Sequence, residues 1–212
     1  QTWSGGISLR ASSRPMIGIR LPEPNASVMS EQLETVRTET PDDGDDDPEP
    51  PGRLQLDIII EDGDWSAFAP VEEALNEVAE TVARHLNLDR AEAAIALSSD
   101  ERVRSLNRTY RGMDKPTNVL SFPATDAGQI PGEPRHLGDI ILAAETVRRE
   151  AAAEGKPLRH HLQHLVVHGL LHLLGYDHET EAQARVMEAL EVEILRRIGV
   201  PDPYAAPFPS EA

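Results

Sequence analysis

The chain has 212 residues, a formal net charge of −17 and no cysteine. This length suits one domain and is short for two, and the lack of cysteine excludes disulfides and thiolate metal sites. The negative charge argues against a broad basic surface that coats nucleic acid. Because no apolar run approaches the roughly 20 residues of a membrane-spanning helix, we expect a soluble protein, and a cysteine-free chain suits the cytoplasm.

The first 52 residues predict a disordered tail that is rich in acidic residues and proline. The stretch from Thr40 to Gly52, TPDDGDDDPEPPG, has too few apolar side chains to offset the entropy of ordering the chain. Because MSEQLETVRTE from Met29 looks like a true start, we interpret residues 1–28 as including non-native or mispredicted upstream sequence. We expect the folded domain at 53–205 and a short C-terminal tail at 206–212.

Regular patterning begins at Arg53. The segment LQLDIII at 54–60 alternates and then runs apolar, which predicts a strand. Apolar residues at helical spacing predict a helix that begins near Pro70, and residues 91–99 predict a second strand. The tetrapeptide SSDE at 98–101 is a capping-box signature for the next helix.

The second half predicts two more strands and then helices only. The strands are Asn118–Pro123 and Leu137–Ala144, and the helices span about 144–154, 158–174 and 180–198, with glycine and proline at the breaks. About four strands and about five helices in this order predict a single α+β domain with a mixed sheet.

Three histidines in HGLLHLLGYDH, His168, His172 and His178, fall at i, i+4 and i+10. On a helix the first two share one face, and Gly175 can adopt the left-handed conformation that ends a helix and turns the chain back. Three neutral imidazoles leave a fourth tetrahedral position open, as in catalytic zinc sites. We therefore predict one zinc ion on the C-terminal helical part, although nickel, copper or iron also suit such ligands. Histidines that merely belong to an amphipathic helix are the alternative, which fits one or two better than three.

Neighbouring polar residues extend this pattern. His160 and His164 continue the four-residue spacing backward, but a helix drifts by about 40° per four residues, so not every rung can reach one ion. We expect His164 to contact a ligand or line the substrate groove, and His160 to be exposed. Asp177 is a candidate acceptor that orients an imidazole, or else a turn residue.

Gly169 occupies the position at which zinc peptidases of the HExxHxxGxxH type carry their catalytic glutamate. Glycine cannot move a proton from water to a leaving amine, so a substrate with a better leaving group is the more natural fit. A metallopeptidase stays open as a hypothesis, and it requires a general base from elsewhere, with Glu145 and Asp139 as candidates.

The most basic window of the chain is 102–115. We predict Arg111 at a Tyr-Arg-Gly turn directly before a strand, where its guanidinium could bind a phosphate through two hydrogen bonds. Lys115 in the same loop and Asp139 are further candidates for the substrate groove. A solvated helix end followed by a turn explains this window equally well.

Three blocks of the sequence resemble the YbeY family of bacterial endoribonucleases that mature rRNA. They are NRTYRGMDKPTNVLSFP (Asn107–Pro123), LGDIIL (Leu137–Leu142) and HLVVHGLLHLLGYDH (His164–His178). The DPY at Asp202–Tyr204 is also similar to the C-terminal end of that family, so the resemblance covers about residues 54–204.

This resemblance implies a zinc-dependent, single-strand-specific endoribonuclease that acts in 16S rRNA 3′-end maturation and ribosome quality control. It implies His168, His172 and His178 as ligands, Arg111 as the functional arginine, and the small ribosomal subunit and the GTPase Era as partners. Met113 stands where the family frequently has a basic residue, which implies slightly weaker phosphate binding. A ribosome-assembly factor whose metal mainly pins the C-terminal helices is the non-enzymatic alternative.

Overall fold

The computed structural model describes residues 53–125, 129 and 132–205. The predicted tails at 1–52 and 206–212 lie outside these residues, so they stay predictions. The four strands are β1 (Leu54–Ile60), β2 (Ala91–Ser98), β3 (Val119–Pro123) and β4 (Arg135–Ala143). The helices are α1 (Val71–His85), α2 (Asp100–Arg111), α3 (Ala144–Ala153), α4 (Leu158–Leu173) and α5 (Glu181–Arg197), besides a short 3-10 turn at Ser66–Phe68.

The strands form one mixed sheet in the order β1-β2-β4-β3. β1, β2 and β4 are parallel, while β3 runs antiparallel to β4 and forms an edge of the sheet. The prediction of an α+β fold with a four-stranded mixed sheet and five helices is confirmed. Among the described residues, no helix is both long enough and apolar enough to cross a bilayer.

The helices divide unequally between the two faces of the sheet. Side chains alternate along β4, so Ile140 belongs to the main core and Ile141 to a smaller cluster on the opposite face. The main core is formed with α1, α3, α4 and α5, whereas Val103 of α2 packs in the smaller cluster. This division places α4 against one face of β4 and β3, and α2 against the other.

Two predicted features around α2 are displaced in the structure. The N-cap is Ser99, whose hydroxyl accepts from Arg102 N, so the helix begins one residue later than a capping box from Ser98 would place it. At the other end, Arg111 is the last helical residue and Gly112 is the C-cap. The prediction that Arg111 lies in a turn directly before a strand is therefore wrong, because β3 begins only at Val119.

Candidate metal centre

The end of α4 and the turn after it bring the three predicted histidines together. Gly175 has φ +92°, a conformation that favours glycine, and Tyr176 N donates to Leu171 O at 3.0 Å. This reversal directs the chain back to the helix. Each of His168, His172 and His178 offers one ligand atom, and these atoms lie within 4.8 Å of one another. The group could hold a metal ion.

The hydrogen bonds of the first two imidazoles leave their inner nitrogens free. His168 Nδ1 lies 2.9 Å from Glu191 Oε1, and His172 Nδ1 lies 3.0 Å from Tyr176 O. Because both acceptors are oxygens, both Nδ1 atoms donate, and a neutral imidazole that donates through Nδ1 keeps a lone pair on Nε2. The two Nε2 atoms are 3.1 Å apart, close to the roughly 3.3 Å expected between two nitrogens on a tetrahedral zinc. Two lone pairs facing each other repel without a cation, so the donor set fits a bound metal.

The electrostatics of the cluster also suit metal binding. Burial, followed by the neighbouring His168 and His178, lowers the pKa of His172 to about 4. His172 is consequently neutral at physiological pH, as a metal ligand must be.

Glu191 of α5, which the sequence analysis missed, lies behind this cluster with a relative exposure of 1%. Burial opposes its ionisation, but hydrogen bonds from His164, His168 and Tyr204 outweigh burial and lower the pKa of Glu191 to about 2. A carboxylate that orients a metal-binding imidazole is a common companion of metal sites. The sequence did contain a signal for Glu191, because it falls at helical spacing between Met187 and Ile194, on the face of α5 that is buried.

His160 and His164, which continue the four-residue spacing backward from His168, lie outside the group of three. His164 Nε2 lies 2.9 Å from Glu191 Oε2, so this histidine contacts the carboxylate that supports His168. His160 is half-buried rather than exposed, which contradicts the expectation for it. The carboxylate of Asp177 accepts a hydrogen bond from the backbone N of His178 at 2.7 Å, a turn contact rather than an imidazole contact.

Gly169 lies where α4 approaches the sheet most closely. A Cβ at this position would lie 2.9 Å from Ile140 Cδ1 and 3.2 Å from Ser121 Oγ. Ser121 Oγ also donates to Gly169 O at 3.3 Å. The glycine therefore permits helix-to-sheet packing, and a glutamate side chain has no free space here.

Neither proposed substitute for that glutamate is brought to the histidines. Glu145 Oε2 accepts from Asp100 N at 2.8 Å, at the N-terminus of α2. Asp139 alternates with Ile140 and so lies on the sheet face opposite α4, where burial raises the pKa of its carboxyl group.

The basic window forms an exposed surface at the C-terminal end of α2. Arg104 is neutralised by Asp114 through hydrogen bonds of 2.8 and 3.0 Å. Arg111 and Lys115 are both exposed, and neither takes part in an ion pair among the described residues. Among the described residues, no hydrogen bond or ion pair joins Arg111 or Lys115 to the histidine cluster. The structure thus leaves two positive charges available at this surface.

Comparisons with known proteins agree with these features. A family model described as Endoribonuclease YbeY matches residues 60–199. A Rhodopseudomonas palustris protein named Endoribonuclease YbeY is 53% identical over 152 residues, which cover 70% of this chain and 80% of that protein. A Nitrobacter hamburgensis protein of the same name is 51% identical over 160 residues, 73% of this chain and 84% of that protein. The solution structure of a Thermotoga maritima protein gives only 23% identity and a TM-score of 0.43, covering 74% of this chain and 100% of that one.

Proposed function

The chain belongs to the YbeY family of endoribonucleases, and we propose that it cleaves single-stranded RNA with one zinc ion held by His168, His172 and His178. One observation carries the metal assignment: two imidazole Nε2 atoms with free lone pairs face each other at 3.1 Å. A zinc ion there would supply Lewis acidity toward a phosphoryl oxygen or lower the pKa of a water molecule. The third histidine completes a set of ligands that leaves a coordination position for substrate.

Arg111 supplies positive charge for the phosphate in this proposal. Its guanidinium is exposed and is not engaged by a carboxylate of the described residues, so it can donate two hydrogen bonds to one phosphate group. Charge that develops on the phosphoryl oxygens during cleavage would be stabilised by the same contact. Lys115 lies in the loop that follows and adds attraction without bidentate geometry.

An exposed aromatic ring next to Arg111 favours a single-stranded substrate. Tyr110 is 48% exposed, and its ring packs against Phe122 with centroids 5.2 Å apart at 66°. An aromatic face can stack on a base only where the base is not already stacked within a duplex. Tyr110 and Arg111 together therefore offer one base contact and one phosphate contact, which suits a flexible strand better than a paired helix.

We propose that the protein acts in the cytoplasm, in keeping with the family's role in rRNA processing. We propose the 3′ end of 16S rRNA on the small ribosomal subunit as the target, with the GTPase Era as a further partner. With eight aromatic residues in the whole chain, platforms for stacking bases cannot be extensive. Sequence selectivity would then come from the ribosomal context.

The two alternatives differ in what they need. A metallopeptidase needs a general base, and Glu145 and Asp139 both lie away from the histidines. A ribosome-assembly factor without catalytic activity needs only the metal-pinned helices. That second alternative predicts binding to ribosomal subunits without cleavage in RNase-free preparations.

A matched pair of arginine substitutions tests the proposed function. Arg111→Ala should reduce cleavage of a single-stranded RNA by roughly 100-fold or more while bound zinc stays near one per chain. Arg104→Ala removes the same charge from the same helix, but its guanidinium is already paired with Asp114, so cleavage should change little. Loss of zinc in Arg111→Ala, or equal effects of the two substitutions, would contradict the role of Arg111.

A further inference from the structure

Glu191 connects two histidines of α4 and a tyrosine near the end of the described chain. Its Oε1 lies 2.9 Å from His168 Nδ1 and its Oε2 lies 2.9 Å from His164 Nε2. The hydroxyl of Tyr204 donates to the same Oε2. The carboxylate is almost fully buried, so these donors replace the water that it would otherwise bind.

The two histidines present opposite nitrogens to this one carboxylate. His168 uses Nδ1, which leaves its Nε2 free to face His172. His164 uses Nε2, the same nitrogen that His168 and His172 direct toward each other in the metal cluster. The remaining nitrogen of His164, Nδ1, is buried without a hydrogen-bond partner among the described residues. The Glu191 carboxylate thus leaves Nε2 of His168 available to a metal, while it occupies Nε2 of His164.

Tyr204 fixes this carboxylate from the C-terminal side. Its backbone N donates to Asp202 Oδ1 at 2.8 Å, and Lys156 Nζ donates to Pro203 O at 3.0 Å. The ring packs edge-on against His164, with centroids 5.6 Å apart. The DPY turn, Asp202–Tyr204, is therefore held on the surface beside α4 so that its phenol reaches Glu191.

We propose that Glu191, oriented by Tyr204, is a positioning residue of the metal centre that selects His168 as a ligand and excludes His164. This inference rests on the proposed metal site but not on RNA cleavage. A carboxylate on the outer nitrogen of a ligating imidazole fixes its tautomer and raises its basicity. The DPY turn thereby contributes to metal affinity without touching the ion.

The simpler explanation is that Glu191 only joins α5 to α4 through buried hydrogen bonds. Two measurements separate this explanation from positioning. The first is the zinc affinity of the purified full-length chain, measured by competition with a chromophoric chelator in the absence of RNA. The second is the ring-nitrogen NMR signal of His168 in the metal-free protein, which reports which nitrogen carries the proton.

Glu191→Gln should weaken zinc binding by about 10- to 100-fold and give a mixed tautomer at His168, because an amide can donate as well as accept. Tyr204→Phe removes only the phenol hydroxyl from a half-exposed ring, and it should weaken zinc binding by a smaller factor. Glu193→Gln on the same helix is the control, since Glu193 pairs with Arg197 at the surface. His164→Ala should still bind one zinc ion per chain.

Unchanged zinc affinity and an unchanged His168 tautomer in both Glu191→Gln and Tyr204→Phe would overturn the inference. Loss of zinc in His164→Ala would also overturn it, because His164 would then be a ligand. If Glu191→Gln does not fold, Tyr204→Phe alone decides the outcome by the same two measurements. A chain that binds zinc as described and cleaves no RNA would refute the proposed function and leave this inference standing.

Discussion

The polar side chains at the C-terminal end of α4 are held by hydrogen bonds, whereas those at the C-terminal end of α2 are exposed to solvent. At α4, the outer nitrogens of His168 and His172 each meet an oxygen, and the supporting carboxylate of Glu191 is buried. At α2, Arg111 and Tyr110 are exposed, and no carboxylate of the described residues pairs with Arg111. The first region is preorganised by hydrogen bonds, whereas the second is open to solvent.

This contrast matches the different demands of a metal ion and of an RNA strand. Ligands must converge on an ion with errors of about half an ångström, which requires locked side chains. A single strand presents phosphates and bases in many arrangements, so exposed side chains that adapt to it are sufficient. The comparison predicts that substitutions at α4 alter metal binding, and that substitutions at α2 alter RNA binding without altering metal content.

The largest expected effect is at α4. His172→Ala removes one of three ligands, so zinc measured by elemental analysis should fall from about one per chain to near zero. His160→Ala is the matched control, because His160 lies on the same helix outside the group of three, and it should keep its zinc. Equal zinc content in the two variants would contradict the role of His172 as a metal ligand.

A second substitution sharpens the comparison at α2. Tyr110→Ala should weaken binding of a short single-stranded RNA to the metal-free chain by about 1–3 kcal/mol, because one stacked base is lost. Tyr110→Phe keeps the ring and should bind like wild type, and fluorescence titration of a labelled oligonucleotide measures both. If Tyr110→Ala binds as tightly as Tyr110→Phe, this surface is a solvated helix end.

A third substitution concerns the packing that supports α4. Gly169→Glu would force a carboxylate against Ile140 and Ser121, so we expect the free energy of unfolding in urea to fall by at least about 2 kcal/mol. Gly169→Ala adds only a Cβ and should cost less. No peptidase activity should appear in the glutamate variant. Wild-type stability of Gly169→Glu would show that α4 can pack closely on the sheet without glycine at this position.

Much of the fold was predictable because its signals are local. The alternation of LQLDIII predicted β1 with the bounds that the structure gives, and Gly175 predicted the end of α4 through a backbone conformation that favours glycine. The three-histidine spacing predicted which imidazoles converge, since helical periodicity alone places His168 beside His172.

Prediction failed for one residue that acts over a long distance in the sequence and for two residues whose position was misjudged. Glu191 lies 23 positions after His168, and only tertiary packing of α5 on α4 brings them together. Asp139 was proposed for the groove because of its chemistry, but the alternation of β4 directs it to the face opposite α4. Arg111 was predicted in a turn directly before β3, but it is the last residue of α2. The glycine that follows it, Gly112, ends the helix and was interpreted as part of that turn.

Reconstitution of the metal-free chain tests the central claim most directly. Zinc is added in steps, and bound zinc and cleavage of a single-stranded RNA are measured on the same samples, beside a His172→Ala preparation purified in parallel. We predict that cleavage rises in proportion to bound zinc, saturates at one ion per chain, and is absent in His172→Ala. Cleavage that persists without metal, or that is equal in the two preparations, would contradict a zinc-dependent ribonuclease centred on these histidines.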